Sequence, residues 1–224
     1  MTIEANDGIG PWAEPSFVAA WVDQDRRRTL LELPRRISAA VVASDGAPVD
    51  LVVDLAAGAG AFLAVFLDRF ETARGVWFDG SDAMEERARL LLAPFGDRVT
   101  FVQGDMRELG DLRTGADVVV SSRASHHLDD AELERFYVGC ARLLRPGGWI
   151  ANLDHTGIEG AWARRWRVAR DEVTAGQPRG VAHPHREPLA ALGTHLALMG
   201  AAGFEEVEVV WRALQTVLVM GRAP

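Results

Sequence analysis

The residues with the clearest chemical signature are Val52-Val-Asp-Leu-Ala-Ala-Gly-Ala-Gly60, a β-rich run that breaks into a glycine turn just before a helical stretch. Gly58 and Gly60 let the backbone come close to a ligand, and the helix that follows offers unpaired N–H groups at its start. That combination suits a nucleotide-type ligand. A dinucleotide fingerprint needs Gly or Ala three positions after Gly60, where Leu63 stands, and the Asp54 carboxylate at the strand end would repel a pyrophosphate. Both features count against NAD. A cationic ligand is favoured by the same carboxylate.

Asp79 stands at the tip of the next β-rich run, where an acid can accept both hydroxyls of a ribose. Further on, Gln103-Gly-Asp-Met106 offers Asp105 as an acceptor for an exocyclic amine and Met106 as packing for a flat ring. Each has a plainer reading: a strand-end Asp caps the next helix, and Met fills core. Candidate proton acceptors follow the fourth and fifth β-rich runs: His126 and His127 after Ser121-Ser-Arg-Ala-Ser125, and His155 after Asp154. These imidazoles either take a proton or shape a pocket, and His155 with Asp154 also reads as a hydrogen-bonded strand end. Arg123 is placed to pair with a substrate carboxylate or to form an ordinary surface ion pair. Trp162 and Trp166 share a helix face, suited to stacking on a substrate or to sealing their helix onto the domain. The arginines at 164, 165, 167 and 170 read as an anion-recognising surface or a solvated face. His183 and His185 flank Pro184, but two histidines without a carboxylate pattern are a weak metal signal, and no metal is expected.

The elements that must position these residues alternate. Strands are expected over Val49 to Asp54, Gly75 to Asp79, Val99 to Gln103, Ala116 to Ser121 and Gly148 to Asp154. Helices are expected over Ala59 to Phe70, Asp82 to Leu92 and Asp130 to Leu144. Strands joined by helices of this length imply a parallel sheet covered on both faces, a doubly wound α/β domain. Two earlier helical segments, Pro15 to Leu31 and Pro34 to Ala43, form an N-terminal cap in which Trp12, Phe17 and Trp21 are expected to pack. Residues 155–187 read as an insertion at the sheet edge, followed by a helix from Pro188 to Ala201 and a hairpin of Glu205 to Trp211 with Leu214 to Met220. The expected division is a cap over residues 1–46 and a ligand-binding domain over residues 47–224.

At 224 residues the chain suits one domain, and 48% hydrophobic with 25% charged residues is a globular composition. All 24 basic residues are arginine. With no lysine, P-loop, kinase and Schiff-base chemistries are excluded, since each needs that amine. A formal charge of -8 disfavours nucleic acid. The single cysteine, Cys140, rules out an intrachain disulfide and suits the cytoplasm. No secretory signal or apolar run of membrane-spanning length is seen.

Taken together, Asp54-Leu-Ala-Ala-Gly-Ala-Gly60, Asp79-Gly-Ser81, Gly104-Asp-Met106, Ala116-Asp-Val-Val-Val-Ser-Ser122, His126-His-Leu-Asp129 and Leu144-Arg-Pro-Gly-Gly148 resemble the class I S-adenosylmethionine-dependent methyltransferases of small-molecule type. The resemblance implies a Rossmann-like, seven-stranded, mostly parallel sheet whose last strand is antiparallel. It implies S-adenosylmethionine as donor and S-adenosylhomocysteine as product. The donor's methionine end would meet the glycine turn with Asp54, Ala56, Gly58 and Gly60, and Ser121 or Ser122. Asp79 would hold the ribose, and Gly80, Gly104, Asp105 and Met106 the adenine. Ala56 departs from the family, many members of which have glycine there; Ala is small enough for the turn to survive. His126, His127 and His155 are then the catalytic candidates, and Arg123, Trp162 and Trp166 the acceptor-binding ones, with the insertion as lid. The acceptor is expected to be a soluble metabolite methylated on O, N or C, and a homodimer is compatible. Other chemistry on the same donor, an internal displacement or a cyclisation, and a silent binding subunit are the competing readings. The Asn/Asp-Pro-Pro-aromatic sequence of base-flipping amino methylases is replaced by Ser121-Ser-Arg-Ala, so DNA amino methylation is not expected.

Overall fold

The computed structural model describes residues 10–27, 31–109, 115–158, 160–173, 175–176 and 188–224. Its centre is one seven-stranded sheet built from β1 (Leu51–Leu55), β2 (Arg74–Asp79), β3 (Val99–Gln103), β4 (Ala116–Ser122), β5 (Leu144–His155), β6 (Glu205–Ala213) and β7 (Thr216–Arg222). The strand order is β3-β2-β1-β4-β5-β7-β6. β1 to β5 run parallel, and β7 lies antiparallel to both β5 and β6. Strands β1 and β4 are buried along almost their whole length, so they read as continuous apolar runs, as strands covered on both faces must.

The covering helices are α1 (Pro15–Arg27), α2 (Glu32–Ser44), α3 (Ala61–Arg69), α4 (Asp82–Leu92), α5 (Asp130–Leu143), α6 (Gly160–Val173) and α7 (Leu192–Ala201). One face of the sheet packs Val52, Trp77 and Val118 against Phe62, Leu63 and Phe66 of α3 and Leu92 of α4. The other packs Val53, Val119 and Ile150 against Leu133, Phe136 and Tyr137 of α5 and Met199 of α7, with Cys140 sealed inside at 0% exposure. Helix α4 starts where the Ser81 hydroxyl accepts from the Met84 N–H (3.2 Å). A reciprocal capping box of Asp129 and Glu132, both bonds 2.8 Å, starts α5.

Several boundaries differ from the sequence expectation, some of them for clear local reasons. β5 begins at Leu144 instead of Gly148, the strand running back through the two glycines while Gly147 N–H donates to Ala223 O (3.0 Å). The helix expected from Pro188 starts only at Leu192, because the chain before it is held extended: Gly157 N–H donates to Ala190 O (2.8 Å) and Gly157 bridges Ala191. The first helix is described as far as Arg27, residues 28–30 lying outside the described residues, and the second starts at Glu32, with Pro34 inside its first turn, where a missing N–H costs nothing. Of the insertion, α6 is described and buries none of its residues; His183 and His185 lie outside the described residues. Among the described residues, no helix is long and apolar enough to cross a membrane.

Because β1 to β5 are parallel, Leu55, Asp79, Gln103, Ser122 and His155 all end on one edge of the sheet. That edge contains the point between β1 and β4 where strand order reverses, the place where open α/β sheets bind ligands.

Candidate active site

The glycine turn after β1 is tied to the end of β2 by a set of short hydrogen bonds. Ala57 N–H donates to Phe78 O (3.1 Å), and Trp77 Nε1–H donates to Gly58 O (2.8 Å). Asp79 accepts from Gly58 N–H at Oδ2 (2.8 Å) and from Ser81 N–H at Oδ1 (2.9 Å). The carboxylate keeps acceptor capacity beyond its backbone bonds. Burial pushes the Asp79 carboxyl above its ordinary range, against the pull of the Gly58, Ser81 and Gly80 amides. Gly60 takes φ 81° at the start of α3, and a Cβ there would lie 2.7 Å from Leu92 Cδ1, so both backbone and space demand glycine.

Ala56 also sits in the left-handed region, at φ 51°. An L-residue there costs about 1–2 kcal/mol, partly offset because alanine restricts the unfolded chain more than glycine does. Ala56→Gly is therefore expected to stabilise the fold by about 0.5 kcal/mol, read as a higher urea midpoint at unchanged m-value.

Asp54 is 1% exposed. Its Oδ2 accepts from Leu63 N–H (3.1 Å), while Oδ1 has no hydrogen-bond partner among the described residues. Burial pushes this carboxyl up to about 7; the Leu63 amide and the Arg35 guanidinium oppose the rise, and Asp79 adds to it. The folded protein thus holds a proton that the unfolded chain releases near pH 4. The stability that proton contributes is full below pH 4 and disappears as pH rises through about 7. Asp54→Asn, which keeps an acceptor for Leu63, is expected to shrink the loss of stability between pH 5 and pH 8, measured by urea unfolding at both.

After β3, Gly104 N–H donates to Asp79 O (3.2 Å), and the Phe78 ring fills the space a side chain at 104 would need. Asp105 accepts from Arg107 N–H (2.8 Å) and pairs with its guanidinium (3.2 Å), which also reaches Glu132 (3.1 Å). Met106 packs, half-buried, against the α5 side of the core.

The ends of β4 and β5 meet around one carboxylate. Asp154, 1% exposed, accepts at Oδ2 from Ala124 N–H (3.1 Å), Ser125 O–H (2.6 Å) and His126 N–H (3.0 Å). At Oδ1 it accepts from His155 N–H (2.7 Å) and faces His126 Nδ1 at 2.6 Å. Burial alone would raise its pKa, but the His126 imidazole, with His155 and the Ser125 hydroxyl, reverses this and holds Asp154 well below the usual carboxylate range. An ionised Asp154 fixes the His126 tautomer: Nδ1 carries the proton and donates it, leaving Nε2 as the basic nitrogen. The His127 ring lies 4.2 Å and the His155 ring 5.5 Å from that of His126, centroid to centroid. His155 Nδ1 is 2.9 Å from Thr216 Oγ1. The N-terminal segment forms the roof: the Trp12 ring meets His127 edge-on at 6.2 Å and packs on Phe17 (5.1 Å) and Trp21 (5.0 Å). Trp12 O accepts from the Ser81 hydroxyl at 2.5 Å, and the Arg123 guanidinium lies 4.8 Å over Trp21.

Residues 52–148 match the protein family described as a methyltransferase domain. They contain the glycine turn, Asp79, the Gly104–Met106 loop and the histidine turn. The chain is 38% identical over 99 residues to 3-amino-4-hydroxybenzoate 4-O-methyltransferase of Streptomyces cremeus, covering 44% of this chain and 27% of that protein. It is 34% identical over 125 residues to aclacinomycin 10-hydroxylase RdmB of Streptomyces purpurascens, covering 55% of this chain and 33% of that protein. The chain thus spans about a third or less of the length of these two curated relatives. An O-methyltransferase family protein from Burkholderia thailandensis shares the fold, with TM-score 0.67 and 22% identity over 95% of this chain and 63% of that one.

The residues expected at the donor site from β1 and β2 lie together: Asp54, Ala56, Gly58, Gly60, Asp79 and Gly80 share one turn-and-strand edge. The two serines expected at the methionine end divide. Ser121 Oγ–H is committed to Leu55 O (2.9 Å), tying β4 to β1, whereas Ser122 Oγ is buried without a partner among the described residues. Trp166 is half-buried and meets Arg212 of β6, so it contacts the domain, while Trp162 faces outward. Trp162 is 60% exposed, and both line a hollow of about 400 Å³ with Gly157, Ile158, Ala191 and Arg212, whose guanidinium lies 4.5 Å from the Trp166 ring centroid. Arg212 carries no motif in the sequence, nor do Ser125, Asn152, Tyr137 and His195, which connect to Asp154 through hydrogen bonds. The available signal was Asn152 and Asp154, two polar residues one strand period apart inside an otherwise apolar run.

Proposed function

We propose that the domain moves the methyl group of S-adenosylmethionine to a hydroxyl oxygen of a small aromatic metabolite, with S-adenosylhomocysteine as product. The observation that carries the reading is the buried His126–Asp154 pair, 2.6 Å apart, at the same sheet edge as the glycine turn. S-adenosylmethionine bears a sulfonium, an ammonium and a carboxylate but no phosphate, and the residues fit it: Asp54 Oδ1 and Ser122 Oγ are buried polar atoms awaiting a partner, and Asp79 keeps acceptor capacity for a ribose. Asp54, Ser122 and the glycine turn would hold the methionine end, Asp79 the ribose, and Gly80, Gly104, Asp105 and Met106 the adenine. When bound, the donor supplies an electrophilic methyl group.

The protein's own part is alignment and one proton. Transfer is in-line at carbon, so the acceptor oxygen must be held within about 3–3.5 Å of the methyl carbon. His126 Nε2 takes the hydroxyl proton while Asp154 steadies the imidazolium that forms; His127 and His155 border the same space. Trp12 and Trp21 exclude water from above, and the insertion carrying α6 acts as lid. Trp162, Trp166 and Arg212 would receive a flat acceptor bearing an anionic group, with Arg123 as a second cation. 3-Amino-4-hydroxybenzoate 4-O-methyltransferase is named for such an acceptor. The enzyme is proposed to work in the cytoplasm, as one buried thiol suits, and as a homodimer, which size-exclusion chromatography tests.

Calorimetry with S-adenosylmethionine, S-adenosylhomocysteine and NAD is expected to show binding of the first two. Binding of NAD alone overturns the reading. Because one relative is named as a hydroxylase, mass spectrometry of hydroxybenzoates incubated with donor and enzyme should follow. A gain of one methyl group supports transfer, and a gain of one oxygen overturns it.

A further inference from the structure

Behind the His126–Asp154 pair runs a buried chain of hydrogen bonds that reaches helix α7. Asn152 of β5 donates from Nδ2 to both Ser125 Oγ (3.0 Å) and Tyr137 Oη (2.9 Å). Tyr137 Oη, already an acceptor, donates its own proton to His195 Nδ1 of α7 (2.8 Å). Burial holds the Tyr137 hydroxyl far above its ordinary pKa, so it remains a donor. Burial also holds His195 below its ordinary range, with Asp154 opposing and His126 adding, so its ring is neutral and keeps one bare nitrogen, the acceptor that the Tyr137 proton needs. At the other end, Ser125 Oγ accepts from Asn152, which directs its O–H onto Asp154 Oδ2 (2.6 Å). Every donor direction from Tyr137 to Asp154 is thereby fixed. The chain consists of side chains that are 0–2% exposed.

Resting on the reading of His126 as base, we propose that Ser125, oriented by Asn152, is a positioning residue for the His126–Asp154 pair: its hydroxyl shares the carboxylate's charge and so limits how tightly Asp154 holds the Nδ1 proton of His126. A carboxylate whose lone pairs are partly taken is a weaker acceptor for any one donor. Removing the Ser125 O–H concentrates charge on the imidazole bond, lengthening the His126 N–H bond and shortening its distance to Asp154. The titratable groups around this pair are His127 on its own turn, Asp154 and His155 on β5, Tyr137 and Cys140 on α5, and His195 on α7.

The test is proton NMR of the donor-free enzyme. The His126 Nδ1–H resonance is identified by its loss in His126→Gln. In Ser125→Ala it is expected to move downfield, and in Asn152→Ala to move in the same direction by less, because the hydroxyl stays but loses the donor that polarises it. Thermal unfolding confirms that each variant is folded. An unmoved or upfield-shifted resonance in a folded variant overturns the positioning role. The measurement needs neither donor, acceptor nor turnover, so that failure leaves the base reading standing; full turnover in His126→Gln would sink the base reading and leave the chain of bonds intact.

Discussion

His126→Gln is expected to lower kcat for a methylated hydroxybenzoate by about 10²- to 10⁴-fold, the usual worth of a positioned general base, with donor affinity unchanged. The two effects separate because the His126 imidazole is set by Asp154 and lies beside His127 and His155 at the β4 and β5 ends, whereas the donor would be held chiefly by the glycine turn and Asp79. The fold should survive: Asp154 keeps the Ala124, Ser125, His126 and His155 donors other than the imidazole. The residual rate should climb with pH, since an acceptor that ionises in solution no longer needs the imidazole. The same substitution at His127 and His155 should cost less, because the Asp154 carboxylate faces the His126 imidazole directly at 2.6 Å. Unchanged kcat in His126→Gln would mean that alignment alone carries the reaction.

Asp79→Ala is expected to weaken S-adenosylmethionine binding by about 100-fold, the value of roughly 2.7 kcal/mol from lost hydrogen bonds to a charged acceptor. Two losses combine: the ribose loses its carboxylate, and Gly58 and Ser81 lose the acceptor that holds the glycine turn against β2. Asp79→Asn retains acceptor capacity on one side and should fall between wild type and alanine. Calorimetry reads both variants directly. Equal affinity in wild type and Asp79→Ala would remove Asp79 from the ribose site.

How much of this is legible in the sequence follows chain distance. The glycine turn, Asp79 and the Gly104–Met106 loop are contiguous motifs at strand ends, and the alternation of strand and helix fixes the edge on which they fall. The three histidines are also visible as a group, since the β4 and β5 ends must be neighbours in a sheet of this kind. What pairs with what is not visible. His126 and Asp154 are 28 positions apart and meet through the β4–β5 register, and Tyr137 and His195 are 58 apart and meet through the packing of α5 on α7. Ser121 and Ser122 look interchangeable on paper. Strand pleat separates them, sending one hydroxyl to Leu55 and leaving the other in the site. The left-handed backbone at Ala56 is likewise hidden, because alanine gives no sign of it.

Cys140 is the chain's single thiol and is sealed within α5, one helical turn beyond Tyr137. Burial pushes its pKa far up, which keeps it unreactive while the helix is packed. Modification by a thiol reagent therefore proceeds through opening of this part of the fold. The ratio of labelling rates in native buffer and in urea gives the free energy of that opening. The protein thus carries its own gauge for the scaffold behind the histidine turn, with no added probe.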